Sequence, residues 1–282
     1  MRRRLDAELV RRGLVESRGA AQEAIRAGSV TIDGAPALKA ATQVHPGQAL
    51  VVSAPPRRYV SRGGEKLAHA LARFAVDPGD LRCLDAGIST GGFTDCLLQH
   101  GAASVLAYDV GYGQVHERLR SDARVLVNER TNVRELTPAD LPAPAPDLLV
   151  ADLSFISLAL VLPGLLRLVR DRRDAAAIVL VKPQFEARRH EVGKGGVVRD
   201  PAVWQRCLEQ VVASARSVGW DAVDVTASPL RGPSGNVEFL VHLRPRAVVD
   251  RPVGLTALIA SAMAEAEVVR RGDGRQGSDE DV

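Results

Sequence analysis

Four ionisable residues stand at the ends of predicted elements, where a parallel sheet would gather them. Asp152 ends an apolar strand in VADLSF, and Lys182 ends the next strand in VLVKP. Glu238 stands near the start of a strand that we expect to run antiparallel, and Lys66 lies in the first turn of a helix that precedes the first strand. All four should face one cleft at the carboxyl edge of the sheet, where ligands bind in open α/β folds. Two lysines and two carboxylates can orient a weak nucleophile and take up its proton, although each residue taken singly could be structural.

A glycine-rich loop in residues 82–98, RCLDAGISTGGFTDCLL, joins an apolar strand to a helix. Glycines allow a bulky ligand to lie against the first turn of such a helix. Ser89 replaces the second glycine of a dinucleotide motif, and the lysine of a phosphate-binding P-loop is missing. An acid before the first glycine favours a ligand with its own positive charge, such as S-adenosylmethionine. The predicted cofactor contacts in this loop are Asp85, Gly87, Ser89, Thr90, Gly91, Gly92 and Phe93.

Two later strand ends provide the remaining predicted cofactor contacts. Asp109 follows SVLAY about twenty residues after the loop, where a carboxylate accepts hydrogen bonds from ribose hydroxyls, and Val110 is next to it. NAD-binding folds use the same device, so Asp109 does not decide between cofactors. Asn132 and Val133 follow the third strand, in a position either to contact the adenine or to pack the loop. Asp152 belongs to both the catalytic and the cofactor-binding prediction.

The elements that must position these residues alternate between strand and helix from residue 82 onward, and the predicted helices include 114–119 and 158–170. Apolar strands separated by helices predict a parallel, doubly wound α/β sheet. The last two strands, at about 221–227 and 236–243, have no helix between them, so the final strand should be antiparallel. This ending is typical of the class I S-adenosylmethionine-dependent methyltransferase, a Rossmann-like fold with a seven-stranded sheet.

A small basic module precedes the sheet. A helix at 5–14 and a second one capped by Ser17 lead into a hairpin at Asp33-Gly34. The pattern S-R-x-x-A-x-x-x-I-x-x-G-x-V-x-I-D-G resembles the S4-type RNA-binding module. Up to Lys66 there are twelve Lys and Arg against six acidic residues, a net charge of +6 in a chain whose total is +3. This asymmetry favours a polyanionic partner.

The basic residues of the module and of the segment after it are the predicted contacts with RNA phosphates, which fix position without reading sequence. For any one of them the alternative is a solvated helix charge. They are Arg2, Arg3, Arg4, Arg11, Arg12, Arg18, Arg26, Lys39, Arg57, Arg58 and Arg62.

The sequence argues against several other classes of protein. Cys83, Cys96 and Cys207 have no metal-ligand spacing, so we expect no metal and a reducing, cytoplasmic compartment. The longest apolar stretch, 153–169, is interrupted by Pro163 and Arg167 and is too short to span a bilayer. The N-terminus shows no secretory signal. We therefore expect no membrane partner; the sequence indicates no particular oligomeric state.

Six segments in combination resemble the haemolysin A (TlyA) family of ribosomal RNA 2′-O-methyltransferases, with its FtsJ-like catalytic core. They are YVSRGGEKL, LDAGISTGGFTDCLL, DVGYGQ, ADLSFISL, VKPQFE and NVEFLVHL. The family's Lys-Asp-Lys-Glu set falls on Lys66, Asp152, Lys182 and Glu238. The resemblance implies cytidine riboses in the rRNA of both ribosomal subunits as targets. The family's R-x-W-V linker pattern has Tyr59 in place of tryptophan here.

The resemblance and the composition together predict five segments. They are an S4-like RNA-binding domain at 1–53, a linker at 54–63, an FtsJ-like methyltransferase domain at 64–247, a C-terminal helix at 248–268 and a disordered tail at 269–282.

Lys182 is the predicted contact with the ribose 2′-oxygen. It would remove the proton if neighbouring positive charges favour its neutral form, or stabilise the forming alkoxide as a cation. Asp152 and Glu238 would orient the two lysines. The alternatives are a membrane-active haemolysin, a nicotinamide-dependent oxidoreductase, and an RNA-binding protein with an inactive methyltransferase fold.

Overall fold

The computed structural model describes residues 2–15, 17–26, 28–53, 58–170, 174–248 and 254–272. The chain forms two compact units, Met1–Arg58 and Tyr59–Val282. The division falls inside the predicted linker at 54–63, of which residues 54–57 lie outside the described residues.

The first unit packs two helices against short strands. Its elements are β1 (Arg3–Arg4), α1 (Leu5–Arg11), α2 (Arg18–Arg26), β2 (Val30–Ile32), β3 (Ala35–Pro36), β4 (Gln43–Val44) and β5 (Leu50–Val52). Strands β3, β2 and β5 form one antiparallel sheet in that order, and β1 pairs with β4.

Local sequence explains the shape of this unit. The Ser17 hydroxyl accepts a hydrogen bond from the Ala20 N–H at 3.2 Å, as expected of the residue that caps α2. Asp33 and Gly34 both have positive φ, 52° and 85°, which is the geometry of a two-residue hairpin turn. Helix α1 ends at Arg11, before the predicted end at residue 14, because Gly13 takes a left-handed conformation.

The second unit contains the large sheet. Its elements are α3 (Gly63–Phe74), β6 (Arg82–Ala86), α4 (Gly92–Gln99), β7 (Ser104–Tyr108), α5 (Glu117–Arg120), β8 (Val125–Asn128), β9 (Leu148–Ala151), α6 (Leu158–Leu166), β10 (Ala176–Val181), α7 (Pro183–Glu186), α8 (Pro201–Arg216), β11 (Trp220–Ala227), β12 (Phe239–Pro245) and α9 (Leu255–Gly272).

The strand order of this sheet is β11-β12-β10-β9-β6-β7-β8, and β12 runs antiparallel to both of its neighbours. This confirms the predicted seven-stranded sheet with its antiparallel last strand. The chain leaves β6 toward β7 and β8 and then returns to β9 on the other side of β6. The carboxyl ends of β6 and β9 therefore form the switch point at which such sheets bind ligands.

The strands are buried on both faces, which is why they read as continuous apolar runs. In β10, Val179 belongs to the core that α6, α8 and α9 cover, and Ile178 to the core that α3 and α4 cover. Alternate residues of the other central strands divide in the same way.

Several predicted boundaries are wrong. The helix expected at 114–119 is one turn, Glu117–Arg120, because a glycine-containing loop continues to that point. The helix expected to reach residue 170 ends at Leu166. Helix α9 reaches Gly272, so residues 269–272 of the predicted tail are helical; the inward packing of Ala262 and Ala266 supports this helix. Residues 249–253 and 273–282 lie outside the described residues.

Candidate active site

Backbone pairing places three of the four predicted catalytic residues at one edge of the sheet. Val181 pairs with Phe239, so Lys182 and Glu238 stand one position further on adjacent strands. Val179 pairs with Ala151 of the next strand, which Asp152 follows. The carboxyl ends of β9 and β10 and the start of β12 therefore present these side chains together.

Each lysine is paired with one carboxylate. Lys182 Nζ lies 2.6 Å from Asp152 Oδ1 and donates a hydrogen bond to Ser154 Oγ at 2.8 Å. Lys66 Nζ donates to Glu238 Oε2. Lys66 and Glu238 are only 7% and 1% exposed, and two such buried charges are stable only as a pair.

Glu238 retains one oxygen for further interaction. Its Oε1 is buried without a hydrogen-bond partner. A Cβ added to Gly232 would lie 2.5 Å from this oxygen. Because Gly232 has no side chain, the Glu238 carboxylate has room to lie beside Lys66.

The start of α3, which carries Lys66, lies against the glycine-rich loop. A Cβ on Gly92, the first residue of α4, would lie 2.8 Å from the Gly64 nitrogen. Tyr59 is buried, and its ring packs against Gly64 so closely that a Cβ there would meet Cγ at 2.3 Å. The aromatic residue that departs from the family's linker pattern therefore supports the helix of Lys66.

The glycines of the loop permit close packing within the protein itself. Gly87 has a φ of 91°, and a Cβ on it would lie 2.6 Å from the carbonyl oxygen of Asp152. Gly91 has a φ of 101°, and its Cβ would lie 2.1 Å from Leu119 Cδ1. Since Gly87 touches Asp152, the loop lies directly beside the Lys182–Asp152 pair.

Asp85 is the buried acid of this loop. Its Oδ2 accepts a hydrogen bond from Thr94 Oγ1 at 2.6 Å, while Oδ1 is buried without a partner. Burial raises the pKa of Asp85 to about 7, and the nearby Asp152 and Asp109 charges act in the same direction. A cationic ligand group would satisfy the unpaired oxygen and favour the ionised form, which suits the ammonium group of S-adenosylmethionine.

Asp109 ties two loops together. Its Oδ2 accepts the Ser89 N–H at 2.7 Å and its Oδ1 accepts the Gly111 N–H at 2.7 Å. Each carboxylate oxygen can accept a second hydrogen bond, so the predicted ribose contact is compatible with this arrangement. Ser89, Thr90 and Val110 are exposed beside it.

Three predicted cofactor residues are placed differently from the expectation. Phe93 and Val133 pack in the hydrophobic cores, 3% and 7% exposed, so a contact from either would come from its backbone. Asn132 uses its side chain locally, since Nδ2 donates to Glu135 Oε1 at 2.9 Å and Oδ1 accepts the Arg134 N–H at 3.2 Å. These contacts favour the loop-packing alternative for its side chain.

Two neighbours of Lys182 were not anticipated. Phe155 has a φ of 64° and is 92% exposed, and its ring centroid lies 5.2 Å from that of Phe185. Lys182 Nζ lies 5.9 Å from the Phe185 centroid. The sequence signal was the pair of aromatics in ADLSFISL and VKPQFE, each three residues beyond a predicted catalytic residue.

The predicted RNA-contacting arginines are more constrained than expected. Asp6 and Glu8 are buried, and five arginines pair with them: Arg4 and Arg18 with Asp6, and Arg3, Arg11 and Arg12 with Glu8. Hydrogen bonds from Arg11 and Arg12 lower the pKa of Glu8 to about 2, and those from Arg4 hold the pKa of Asp6 well below its usual range. Arg3, Arg4, Arg11 and Arg18 remain 47–60% exposed and Arg12 is 21% exposed, so these ion pairs constrain the five side chains without removing them from the surface.

The other predicted RNA contacts differ among themselves. Arg2, Arg26 and Lys39 are exposed and form no ion pair within the described residues. Arg62 donates to the Arg231 carbonyl at 2.7 Å, and Arg58 is exposed. Arg57 lies outside the described residues.

Three further features bear on the function. Within the described residues, no group of three or more His, Cys, Asp or Glu side chains is placed to hold a metal ion. No helix in the described part of the chain is long and apolar enough to cross a membrane. Cys83, Cys96 and Cys207 are buried and form no disulfide bond within the described residues.

Comparison with known proteins supports the same order of two domains along the chain. The FtsJ-like methyltransferase family model matches residues 59–245, and the S4 domain model matches residues 3–50. The chain is 53% identical, over 94% of its length and 98% of the relative, to the "16S/23S rRNA (cytidine-2′-O)-methyltransferase TlyA" of Mycobacterium tuberculosis. It is 38% identical to "Hemolysin A" of Brachyspira hyodysenteriae, over 85% of this chain and 98% of the relative.

A solved structure extends the likeness to the whole fold. The "Putative hemolysin from Streptococcus thermophilus" superimposes with a TM-score of 0.74 at 37% identity, over 97% of this chain and 98% of that one. The family prediction is confirmed: the chain belongs to the TlyA family, in which an S4 domain precedes an FtsJ-like methyltransferase domain.

Proposed function

We propose that this protein transfers a methyl group from S-adenosylmethionine to the ribose 2′-oxygen of cytidine in ribosomal RNA. The observation that carries the proposal is the Lys182–Asp152 pair, held at the switch point of the sheet beside the glycine-rich loop. The relative that is 53% identical is named for this reaction.

The residues around the switch point fit the proposed cofactor. The free Oδ1 of Asp85 can accept a hydrogen bond from the ammonium group, and Asp109 can accept hydrogen bonds from ribose hydroxyls. The exposed backbone at Ser89 and Thr90 can line the rest of the molecule. When bound there, S-adenosylmethionine supplies a methyl group activated by its sulfonium.

Lys182 acts on the nucleophile. A ribose 2′-hydroxyl is a weak nucleophile, so its proton must leave as the new bond forms. Asp152 and Ser154 fix Lys182 Nζ at hydrogen-bond distance, which leaves it able to contact the 2′-oxygen. A neutral amine would accept the proton, and an ammonium would stabilise the developing negative charge.

Lys66 and Glu238 support the same reaction. Because this pair is buried, its charges interact in a medium of lower effective dielectric constant than water. The Lys66 ammonium lies on the element that packs against the cofactor loop, and Glu238 holds it there. The proposed role of the pair is to orient the reacting groups and to place positive charge near the nucleophile.

Phe155 supports an RNA substrate. Single-stranded nucleotides bind by stacking their bases on exposed aromatic rings. An almost fully exposed phenylalanine on strained backbone costs stability, and strain of this kind tends to occur at functional sites. We assign Phe155 to the base of the target nucleotide.

The proposal extends to both ribosomal subunits, since the Mycobacterium tuberculosis relative is named for both 16S and 23S rRNA. The substrates would be ribosomal subunits in the cytoplasm.

The decisive experiment is to incubate purified protein with ribosomal subunits from cells that lack it, and to map 2′-O-methylation. The wild-type protein should methylate cytidine. Lys182→Ala should bind S-adenosylmethionine normally and lose methyl transfer. Methylation by Lys182→Ala at the wild-type rate would contradict the mechanism.

The names of two relatives suggest a haemolysin as the other candidate. Leakage of dye from liposomes by the pure protein, without methylation of ribosomal subunits, would support that function instead.

A further inference from the structure

The segment after Lys182 carries a second group of positive charges, outside the S4 domain. Helix α7 is followed by residues 188–199, which we call the basic hairpin. It contains a short helical turn, Arg189–Glu191, and a tight turn closed by Gly193 and Val197, whose N–H and C=O groups are hydrogen-bonded at 3.0 Å. Its four cations, all exposed, are Arg188, Arg189, Lys194 and Arg199.

These four cations are not neutralised within the described residues, where none of them forms an ion pair. The nearby acids are used elsewhere. Glu191 pairs with Arg206, and Asp200 accepts the Ala202 N–H at 2.9 Å at the start of α8. The basic hairpin therefore differs from the N-terminal arginines, five of which are paired with Asp6 or Glu8.

Asn236 fixes the far end of the basic hairpin to the active site. This side chain is 2% exposed, and both of its polar atoms bind the hairpin backbone. Oδ1 accepts the Val198 N–H at 2.9 Å, and Nδ2 donates to the Gly196 carbonyl at 2.8 Å. Since Asn236 stands two residues before Glu238, the hairpin has a defined position relative to the start of β12.

Glu186 fixes the near end. Glu186 is the last residue of the one-turn helix α7, which begins directly after Lys182. Its carboxylate accepts hydrogen bonds from Ser157 Oγ at 2.6 Å and from the Leu158 N–H. The loops after β9 and β10 are thereby joined. Both ends of the basic hairpin are thus attached to elements that carry Asp152, Lys182 and Glu238.

We propose that the basic hairpin binds backbone phosphates of the RNA strand that carries the target nucleotide. Unpaired arginine and lysine side chains are the groups that bind phosphate most strongly, through charge-assisted hydrogen bonds. Exposed backbone at Gly195 and Gly196, where a Cβ would meet nothing within 4 Å, leaves room for a phosphate to approach the chain. The inference rests on the proposed function and adds a second RNA contact, next to Lys182.

The test uses an rRNA substrate that the wild-type protein methylates, so that a failure of the proposed function is visible in the wild type first. The double variant Arg189→Gln/Lys194→Gln should keep its kcat and raise the KM for RNA. The slope of log affinity against log salt concentration should fall by about 1 for each lost phosphate contact, hence by about 2.

Two variants serve as controls. Arg167→Gln/Arg246→Gln removes two exposed cations from the opposite edge of the sheet and should leave the KM and the salt slope at wild-type values. Arg189→Lys/Lys194→Arg keeps both charges and should retain the wild-type slope. Melting temperature and S-adenosylmethionine affinity establish that each variant is folded.

The proposal would be overturned by an unchanged KM and salt slope in Arg189→Gln/Lys194→Gln. It would also be overturned if the control at the opposite edge changed by the same amount, since the effect would then be one of net charge. Loss of kcat with an unchanged KM would likewise assign the hairpin a role other than phosphate binding.

Discussion

Thr94 Oγ1 donates a 2.6 Å hydrogen bond to Asp85 Oδ2 and leaves the other carboxylate oxygen buried without a partner. A protein that bound nothing here would gain by having a neutral residue at this position, because a buried unpaired oxygen costs stability. We therefore expect Asp85 to lower the free energy of unfolding of the ligand-free protein and to raise its affinity for a cationic ligand.

Asp85→Asn should change both the free energy of unfolding and the affinity for S-adenosylmethionine. Burial raises the pKa of Asp85 from 3.8 to about 7. The free energy of unfolding of the wild type therefore falls as pH rises from 3.8 to about 7, and above pH 7 this loss is complete. The free energy of unfolding of the variant relative to wild type should therefore be higher at pH 8 than at pH 5 by roughly 3 kcal/mol.

Denaturant unfolding at the two pH values checks the stability, and calorimetry with S-adenosylmethionine should show weaker binding. Unchanged cofactor affinity would remove Asp85 from the binding site.

Gly232→Ala should damage catalysis without unfolding the protein. The added Cβ would lie 2.5 Å from Glu238 Oε1 and displace the carboxylate that holds Lys66. A misplacement of about 1 Å in a catalytic group costs about 10²-fold in rate, and kcat for methyl transfer measures it.

Gly164→Ala is the matched control, because its Cβ would meet nothing within 4 Å, and it should leave the rate unchanged. A fully active Gly232→Ala protein would show that the position of Glu238 is not critical.

Phe155→Gly should increase stability and weaken RNA binding. Glycine adopts a φ of 64° without strain, so the free energy of unfolding should rise by about 1 kcal/mol. Loss of base stacking should cost about 1–3 kcal/mol of RNA affinity. Phe155→Tyr keeps the ring and should bind RNA like the wild type. Equal RNA affinity of the Gly and Tyr variants would rule out stacking.

His242 should make the protein sensitive to acid. The side chain is 6% exposed, and its ring stacks on Phe74 at 5.4 Å. Burial, with a smaller effect of Arg244, lowers the pKa of His242 to about 4. The neutral form is therefore favoured in the folded state, and stability present above the unfolded pKa of about 6.5 is lost as pH falls.

Between pH 7 and pH 5 this loss should be about 2 kcal/mol in the free energy of unfolding. Over the same interval, the free energy of unfolding of His242→Gln should fall by about 2 kcal/mol less than that of the wild type. The control His190→Gln changes an exposed side chain and should show the pH dependence of the wild type. Identical pH dependence of all three proteins would contradict the assignment.

Sequence periodicity determined the large sheet, because strands buried on both faces give apolar runs and each helix between them shows its own pattern. It also indicated that Asp152 and Lys182 meet, since the carboxyl ends of neighbouring parallel strands share an edge. The antiparallel last strand followed from the missing helix, and with it the position of Glu238 at the same edge.

Only the tertiary structure decided which charged side chains form ion pairs within the chain. Asp6 and Glu8 are ordinary acids in sequence, but in the fold both are buried and form ion pairs with five of the predicted phosphate contacts, which stay partly exposed. Conversely, residues 188–199 carry no periodic pattern in sequence, and only the tertiary contacts of Asn236 fix their position. These contacts join residues up to 40 positions apart in the chain, and no periodic signal in the sequence encodes them.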